Sequence, residues 1–540
     1  MSTATAHTVT LRGALGHLVD VEVDVSSGQA GITLVGRAEA SLREGPERAR
    51  MAILNSGLDW PASYRTTILL SPADLPKAGT HVDLAIAIAV LAASGQVDGD
   101  GLLGTAFIGE LTLSGGLRPA SGVLPMVMAA AERGIRRVVV PEPQAREAAM
   151  VPGMTVVGVR SLAQVVAVLA GKPIPVAPPV AGASGAHLLA WRGDTRLDEL
   201  DLADLSGMDE EKYALEVAAA GGHPLMLDGP KGVGKTSLVE RLPTILPDLL
   251  AEESLELTAI HSLAGTLDPA EGLITRPPYS APHHDASKAS LIGGGNGSVQ
   301  PGELSKCHGG VIFLDEFPLF RADVIDALRQ PLETGEITVA RREESVTLPA
   351  RCLLVIAANP CPCGDWSSTR EHNKCTCDVA LRRTYQRKFS GPIVDRFDIV
   401  RHLRPQTRMP DDPFHPVETS AEVAARIAQV RRRQHDRFAG LGWRLNSQIP
   451  GPRLKDDWAV TPAAQKVVDA ATYGGTLSAR GGVRVLRLAW TVADLTSVHE
   501  GRDIRPGTAE VDVAMRLRLG KPLPSRILHR VPAAEMEGVG

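Results

Sequence analysis

Nine consecutive residues have the types and spacing to hold a nucleoside triphosphate: Gly229, Pro230, Lys231, Gly232, Val233, Gly234, Lys235, Thr236 and Ser237. They match G-x-x-x-x-G-K-[ST]. In that pattern glycines let backbone N–H groups point inward around phosphate oxygens, the lysine reaches the β- and γ-phosphates, and the next hydroxyl takes Mg2+. Lys235 and Thr236 fill the last two roles. Eighty residues beyond Lys235, the run Gly310-Val-Ile-Phe-Leu ends in Asp315 and Glu316. Asp315 is suited to hold Mg2+, directly or through water, and Glu316 to orient and polarise an attacking water. Adjacent acids at a strand tip can also be a solvated end; the phosphate loop upstream favours the chemical reading. A third apolar run, Cys352 to Ala358, ends in Asn359. An amide there can hydrogen-bond both water and a γ-phosphate without changing charge. ATP and Mg2+ are the expected ligands.

These residues need strands to carry them. His223 to Gly229 reads as a short apolar strand running into the loop, with a helix continuing through Leu238 to Leu242. Strand–loop–helix is the context that the phosphate motif requires. The α/β pattern extends over about 194–403. Before it, residues 1–170 alternate strand-like and helix-like segments. Val19 to Val25 has period two, Leu84 to Leu91 reads as a buried helix, and Gly109 to Leu117 as a hairpin with glycine at the turn. Ala129 to Gly134 and Val138 to Val140 read as helix then strand. Residues 171–193 are rich in Pro, Ala and Gly and read as a linker. Four prolines in 404–416 mark a second break, and 404–520 reads mostly helical, over 421–438, 462–473, 482–498 and 508–519. Residues 521–540 are expected to form a flexible tail.

Composition sets limits. The chain has 540 residues, enough for several cores, with 57 Lys and Arg against 62 Asp and Glu, a net charge of −5. That excludes a protein holding nucleic acid by bulk positive charge, though not a local basic channel. Aromatics at 4% argue against broad base-stacking platforms. The first residues lack a basic segment followed by an apolar one, and the longest apolar run, Leu84 to Ala93, is too short to span a bilayer. Four of six cysteines cluster in 361–377, unlike a secreted disulfide framework. A cytoplasmic protein with no membrane partner is expected.

The order loop, two acids, polar sensor resembles AAA+ ATPases. The flanking segments narrow the resemblance: Ala218-Ala-Ala-Gly-Gly-His223-Pro-Leu, Pro278-Tyr-Ser-Ala-Pro-His283-His284, Leu291-Ile-Gly-Gly-Gly295, Leu328-Arg-Gln-Pro-Leu-Glu-Thr-Gly335, Asn359-Pro-Cys-Pro-Cys-Gly364 and Ser390-Gly-Pro-Ile-Val-Asp-Arg396-Phe-Asp398. Together they resemble the YifB/ComM branch of the magnesium-chelatase-like AAA+ family, over nearly the whole chain. The fold class this implies is α/β: an N-terminal Lon-protease-like α+β domain, a central AAA+ P-loop domain and a C-terminal helical lid. It also implies a homohexamer with ATP at subunit interfaces. Arg396 then matches an arginine finger acting on a neighbour's nucleotide; the alternative is a salt bridge with Asp395 or Asp398. Arg480, in the lid, matches the second sensor, with Arg484 or Arg487 as alternatives. Glu316, Asn359, Arg396 and Arg480 make up the implied catalytic set. Between the two Walker motifs the resemblance implies a helix-2 insert carrying His283, His284 and Gly293 to Gly295. A hairpin over 336–348 would place Arg341 and Arg342 at a pore facing DNA phosphates. The opposed reading is a solvated turn neutralised by Glu343 and Glu344.

Cys361, Cys363, Cys375 and Cys377 offer four thiolates for a tetrahedral structural Zn2+, with His372 as a substitute ligand. C-x-C is tighter than the usual zinc spacing, and reduced free cysteines are the alternative. The N-terminal segments around Lys77-Ala-Gly79 and Gly122-Val-Leu124 resemble the Lon proteolytic domain, yet Lys77 stands where that frame expects its serine and Leu124 where it expects its lysine. A non-proteolytic domain follows. Arg426, Arg431, Arg432, Arg433 and Arg437 share one helical segment without forming a stripe, which suits a solvated or inter-subunit helix better than a DNA-facing one. The function the resemblance implies is an ATP-driven motor on branched or single-stranded DNA, with branch migration or helicase activity. The alternative is ATP-driven remodelling of a protein partner, as a metal-chelatase motor subunit or an unfoldase.

Overall fold

The computed structural model describes residues 3–12, 15–77, 79–180, 199–268, 271–294, 299–340, 345–366, 373–388, 393–404 and 417–528. Arg341, Arg342 and His372 lie outside these.

The chain begins with a long antiparallel hairpin, Thr3–Arg12 against Leu15–Ser26. Val19, Val21, Val23 and Val25 are buried while Asp20, Glu22 and Asp24 are not, so the period-two pattern is realised. The hairpin is the centre of a seven-stranded mixed sheet. Its order is Gly31–Val35, Arg65–Ser71, Leu15–Ser26, Thr3–Arg12, Thr105–Phe107, Arg137–Pro141 and Thr155–Val159. The helix Asp83–Ala93 is buried at every residue, as its all-round apolar sequence requires. Its one acid, Asp83, is paired by Arg48 at 2.7 Å. Burial lifts the Asp83 carboxyl to about 6, against the pull of Arg48. The expected turn at Gly115 closes Glu110–Leu111 onto Leu117–Arg118, with φ at +85°. The expected linker starts as packed chain: Gln164 donates to the Pro175 carbonyl at 2.8 Å, and Ala177 is buried.

The central sheet is parallel throughout. Its order is Tyr279–Ser280, Val311–Leu314, Leu353–Ala358, Leu225–Asp228 and Ile399–His402. Three of these strands are wholly apolar because both faces of a parallel sheet are covered: Val311–Leu314, Leu353–Ala358 and Leu225–Leu227. Parallel register brings the carboxyl ends of Leu225–Asp228, Val311–Leu314 and Leu353–Ala358 to one edge. The phosphate loop, the two acids and Asn359 follow these three ends. The strand bearing Asn359 lies between the other two. Outside the sheet, Glu336–Ala340 pairs antiparallel with Ser345–Pro349, which confirms the hairpin; its tip is outside the described residues. A second short pairing joins Gly293–Gly294 to Gln300–Pro301.

The last part is helical: Ser420–Arg437, Pro462–Tyr473, Ala479–Glu500 and Thr508–Leu519. The third helix starts earlier than its sequence pattern suggests, because the Ser478 hydroxyl caps it by accepting from the Gly481 N–H at 3.0 Å. Val423, Ile427, Val430, Val485 and Leu488 share one core with Leu225, Val355 and Ile399, so these helices and the parallel sheet form one packed body. The N-terminal sheet joins that body through its helix Val123–Glu132, which packs on Ala251–Ala264. There the buried Glu147 accepts from the Leu124 N–H at 2.9 Å and the Ser262 hydroxyl at 2.5 Å. No helix among the described residues is long and apolar enough to cross a membrane.

Candidate nucleotide site

The phosphate loop leaves its strand at Gly229, where a Cβ would lie 2.7 Å from the Leu403 carbonyl. Gly232 and Gly234 have φ of +78° and +86°, a left-handed backbone that other residues adopt at a cost. The helix Lys235–Val239 begins directly after. Lys235 is buried, and its ammonium donates to the carbonyls of Gly229 at 2.6 Å and Pro230 at 2.8 Å and to Asn359 Oδ1 at 2.9 Å. Burial lowers its pKa, while Asp315, Asp228 and Glu316 pull it back up. Thr236 Oγ1 donates to Asp315 Oδ2 at 2.9 Å. A hydroxyl and a carboxylate so placed are the hard oxygen donors that Mg2+ takes, and the lysine and loop N–H groups suit phosphate. Both ligands fit the residues present.

Glu316 has φ of +49°, the one non-glycine residue with positive φ among the described residues. Such strain, of order 1–3 kcal/mol, collects at functional sites. Its backbone N–H donates to Asp315 Oδ1 at 2.8 Å, so each Asp315 oxygen has a fixed partner. Its carboxylate is half exposed, and His284 Nδ1 stands 3.5 Å from it. The parallel strand Tyr279–Ser280 carries His284 to the acids, a place its sequence position alone does not indicate. Met208 is a second residue at this site, with its sulfur 3.6 Å from where a Gly234 Cβ would be.

Arg396 and Arg480 stand elsewhere. Arg396 precedes the strand Ile399–His402, at the opposite end of the parallel sheet from Lys235. It is mostly buried and pairs with Glu333 at 2.8 Å, rather than with Asp395 or Asp398. Arg480, 70% exposed, approaches the same Glu333 oxygen at 3.7 Å. Neither reaches the phosphate loop of its own chain. The two alternatives to Arg480 are used internally: Arg484 pairs with Asp398, and Arg487 donates to the Ile449 carbonyl at 2.8 Å.

Asp398 is the hub of a buried polar cluster that sequence reasoning missed. It accepts from His223 Nδ1 at 2.7 Å, and His223 Nε2 meets Thr491 Oγ1 at 2.7 Å. Burial pushes the Asp398 carboxyl up, but His223 and Arg484 overcome this and hold it at about 2. Three arginines of the basic helix are turned inward. Arg426 binds Glu216 at 2.5 Å, Arg431 the Ala219 carbonyl at 2.7 Å, and Arg437 binds Asp494. These three tie the helix to its own chain, which disfavours the DNA-facing reading for them, while Arg433 pairs at the surface with the exposed Asp503.

Lys77 is completely buried, with its ammonium donating to the carbonyls of Leu70 and Pro72. Leu124 is buried in the helix Val123–Glu132. The four clustered cysteines come together, all four sulfurs within 4.8 Å of one another.

A parallel sheet with the acid strand separated from the loop strand by the sensor strand, and with the loop lysine held by the sensor amide, defines a P-loop ATPase of the AAA+ type. Models of magnesium chelatase, subunit ChlI, match residues 201–409, its C-terminal part matches 417–518, and the model for subunit ChlI of Mg-chelatase matches 21–144. An uncharacterised protein of Mycobacterium tuberculosis is 43% identical over 96% of this chain and 99% of its own. The competence protein ComM of Haemophilus influenzae is 37% identical over 94% and 97%, and the uncharacterised protein YifB of Escherichia coli 37% over 92% and 94%. The chain belongs to the magnesium-chelatase-like ATPase family of YifB and ComM.

Proposed function

We propose that this chain hydrolyses ATP as a subunit of a homohexameric ring in the cytoplasm and uses the energy to move branched DNA. The observation that carries the ring is the position of Arg396 at the far end of the sheet from Lys235. A finger there serves a nucleotide held by another copy, where it stabilises charge on the transferring phosphoryl group. Arg480, exposed beside it, is the second sensor for the same neighbour's γ-phosphate. In each subunit the loop N–H groups and Lys235 bind the β- and γ-phosphates. Thr236 and Asp315 hold Mg2+, which neutralises charge on the phosphates when bound. Glu316 orients the attacking water and accepts its proton, and Asn359 hydrogen-bonds the water and the γ-phosphate.

The DNA substrate is supported by the relative named as a competence protein, matched over nearly both whole chains. Arg341 and Arg342, which in sequence fall between the paired strands Glu336–Ala340 and Ser345–Pro349, are the residues proposed to meet DNA phosphates in the pore. The N-terminal sheet is proposed to be a Lon-like domain without protease activity. The burial of Lys77 on main-chain carbonyls supports this, since no hydroxyl nucleophile stands in its place. The test is the ATPase rate with and without branched DNA. Stimulation that disappears in R341A/R342A is the expected result. Robust turnover indifferent to DNA would favour a protein partner instead.

A further inference from the structure

The loop after the sensor strand carries a constellation that nucleotide chemistry does not use. Cys361 and Cys363 follow Asn359 by two and four residues, and Cys375 and Cys377 return to them just before the helix Val379–Lys388. The sulfurs of Cys361 and Cys363 are 3.2 Å apart, and that of Cys375 is 3.6 Å from each. None of the four is in a disulfide. A single Zn2+ with thiolates at about 2.3 Å spaces its sulfurs by about 3.8 Å, so these four are already grouped as one ion's shell. Hydrophobic packing does not account for the grouping, because only Cys361 is buried. Thiolates around an iron–sulfur cluster bind separate iron atoms and stand farther apart. Four thiolates with no open position make a structural site.

The same loop leans on the phosphate loop. The Gly364 carbonyl accepts from the Lys231 backbone N–H at 3.4 Å, and Asp365 pairs with the Lys231 ammonium at 3.0 Å. Gly364 has φ of +82°, and a Cβ there would stand 3.2 Å from the Lys231 side chain. Beyond the second cysteine pair, Gln386 donates to the Pro360 carbonyl at 3.0 Å. Asn359, at the root of the loop, holds Lys235.

We propose that Cys361, Cys363, Cys375 and Cys377 bind one Zn2+, and that the ion braces the phosphate loop through Gly364 and Asp365, making ATP affinity depend on the metal. The coupling rests on the ATP-site reading above; the metal site does not. Each thiol releases its proton to solvent as it becomes a ligand.

The test uses the full chain purified without added metal. Elemental analysis should find about one zinc per chain, falling below about a tenth in C375S. Wild-type chain stripped by chelator and given Co2+ alone should show the thiolate charge-transfer and ligand-field bands of a tetrahedral four-sulfur site, a readout that needs no substitution. Circular dichroism confirms that C375S remains folded. Titration with a fluorescent ATP analogue should show affinity at least about tenfold weaker in stripped chain, restored by Zn2+. D365A should keep its zinc and bind the analogue about two- to threefold more weakly, the size of an exposed ion pair. Less than a third of a zinc per chain with no cobalt bands overturns the metal site. A full complement of zinc whose removal leaves nucleotide affinity unchanged overturns the brace. Failure of wild-type chain to bind the analogue at all, zinc present, would overturn the ATP reading and leave the metal site standing.

Discussion

Lys235 and Glu316 separate binding from turnover. Lys235 is buried and tied to the loop carbonyls and to Asn359, so K235A should abolish nucleotide binding, read by the same fluorescent titration. E316Q should bind ATP at wild-type affinity and hydrolyse it at least about a hundredfold more slowly, the usual scale for a lost general base. Hydrolysis at the wild-type rate would remove Glu316 from its role. Its backbone adds a second test. At φ of +49° the residue costs about 1–2 kcal/mol that glycine does not. E316G should therefore unfold in denaturant no earlier than wild type while losing turnover; a fall of more than about 1 kcal/mol would show that the left-handed turn is not strained. The phosphate-loop residues were legible in the sequence because the chemistry demands a fixed spacing. The place of His284 beside Glu316 was not, since only the parallel sheet brings it to the same edge.

Among elements, the join between the sheet and the helical part is governed by His223, Asp398 and Arg484. All three lie at strand or helix ends distant in sequence, and their pairing depends on the helix Ala479–Glu500 crossing the sheet. Hydropathy patterns located that helix and Thr508–Leu519, because one apolar face recurs at helical spacing. They could not show which arginine turned inward. Removing one partner of a buried pair leaves the other charge uncompensated, so D398N should cost about 3–5 kcal/mol of unfolding free energy. The pH dependence has a definite sign. The folded carboxyl, at about 2, lies below the ordinary value of about 3.9. Asp398 thus contributes stability that is fully present above pH 4 and is lost as pH falls through 2. Denaturant midpoints should drop over that window in wild type and much less in D398N. Three of the five arginines on the basic helix, Arg426, Arg431 and Arg437, are spent on carboxylates or carbonyls of their own chain.

At the scale of the whole molecule, the proposed ring makes one chain only half an active site. The loop and acids face one edge of the parallel sheet, and Arg396 the other. R396A should hydrolyse ATP about a thousandfold more slowly, the loss expected of an arginine finger. Mixed with E316Q, it should regain part of the wild-type rate, because an interface pairing intact Glu316 with a neighbour's intact Arg396 is complete. A mixture no faster than its parts would place the finger elsewhere. The family could be read from motifs spread over nearly the whole chain; the expected homohexamer came only with that resemblance, since a ring contact leaves no periodicity in the sequence. The most direct measurement is ATP-dependent movement of a synthetic four-way DNA junction by the purified full-length chain, followed as strand products. Wild-type hexamers should move the junction, and E316Q hexamers should bind it without movement. Wild-type hexamers that turn over ATP yet leave the junction in place would contradict the proposed function.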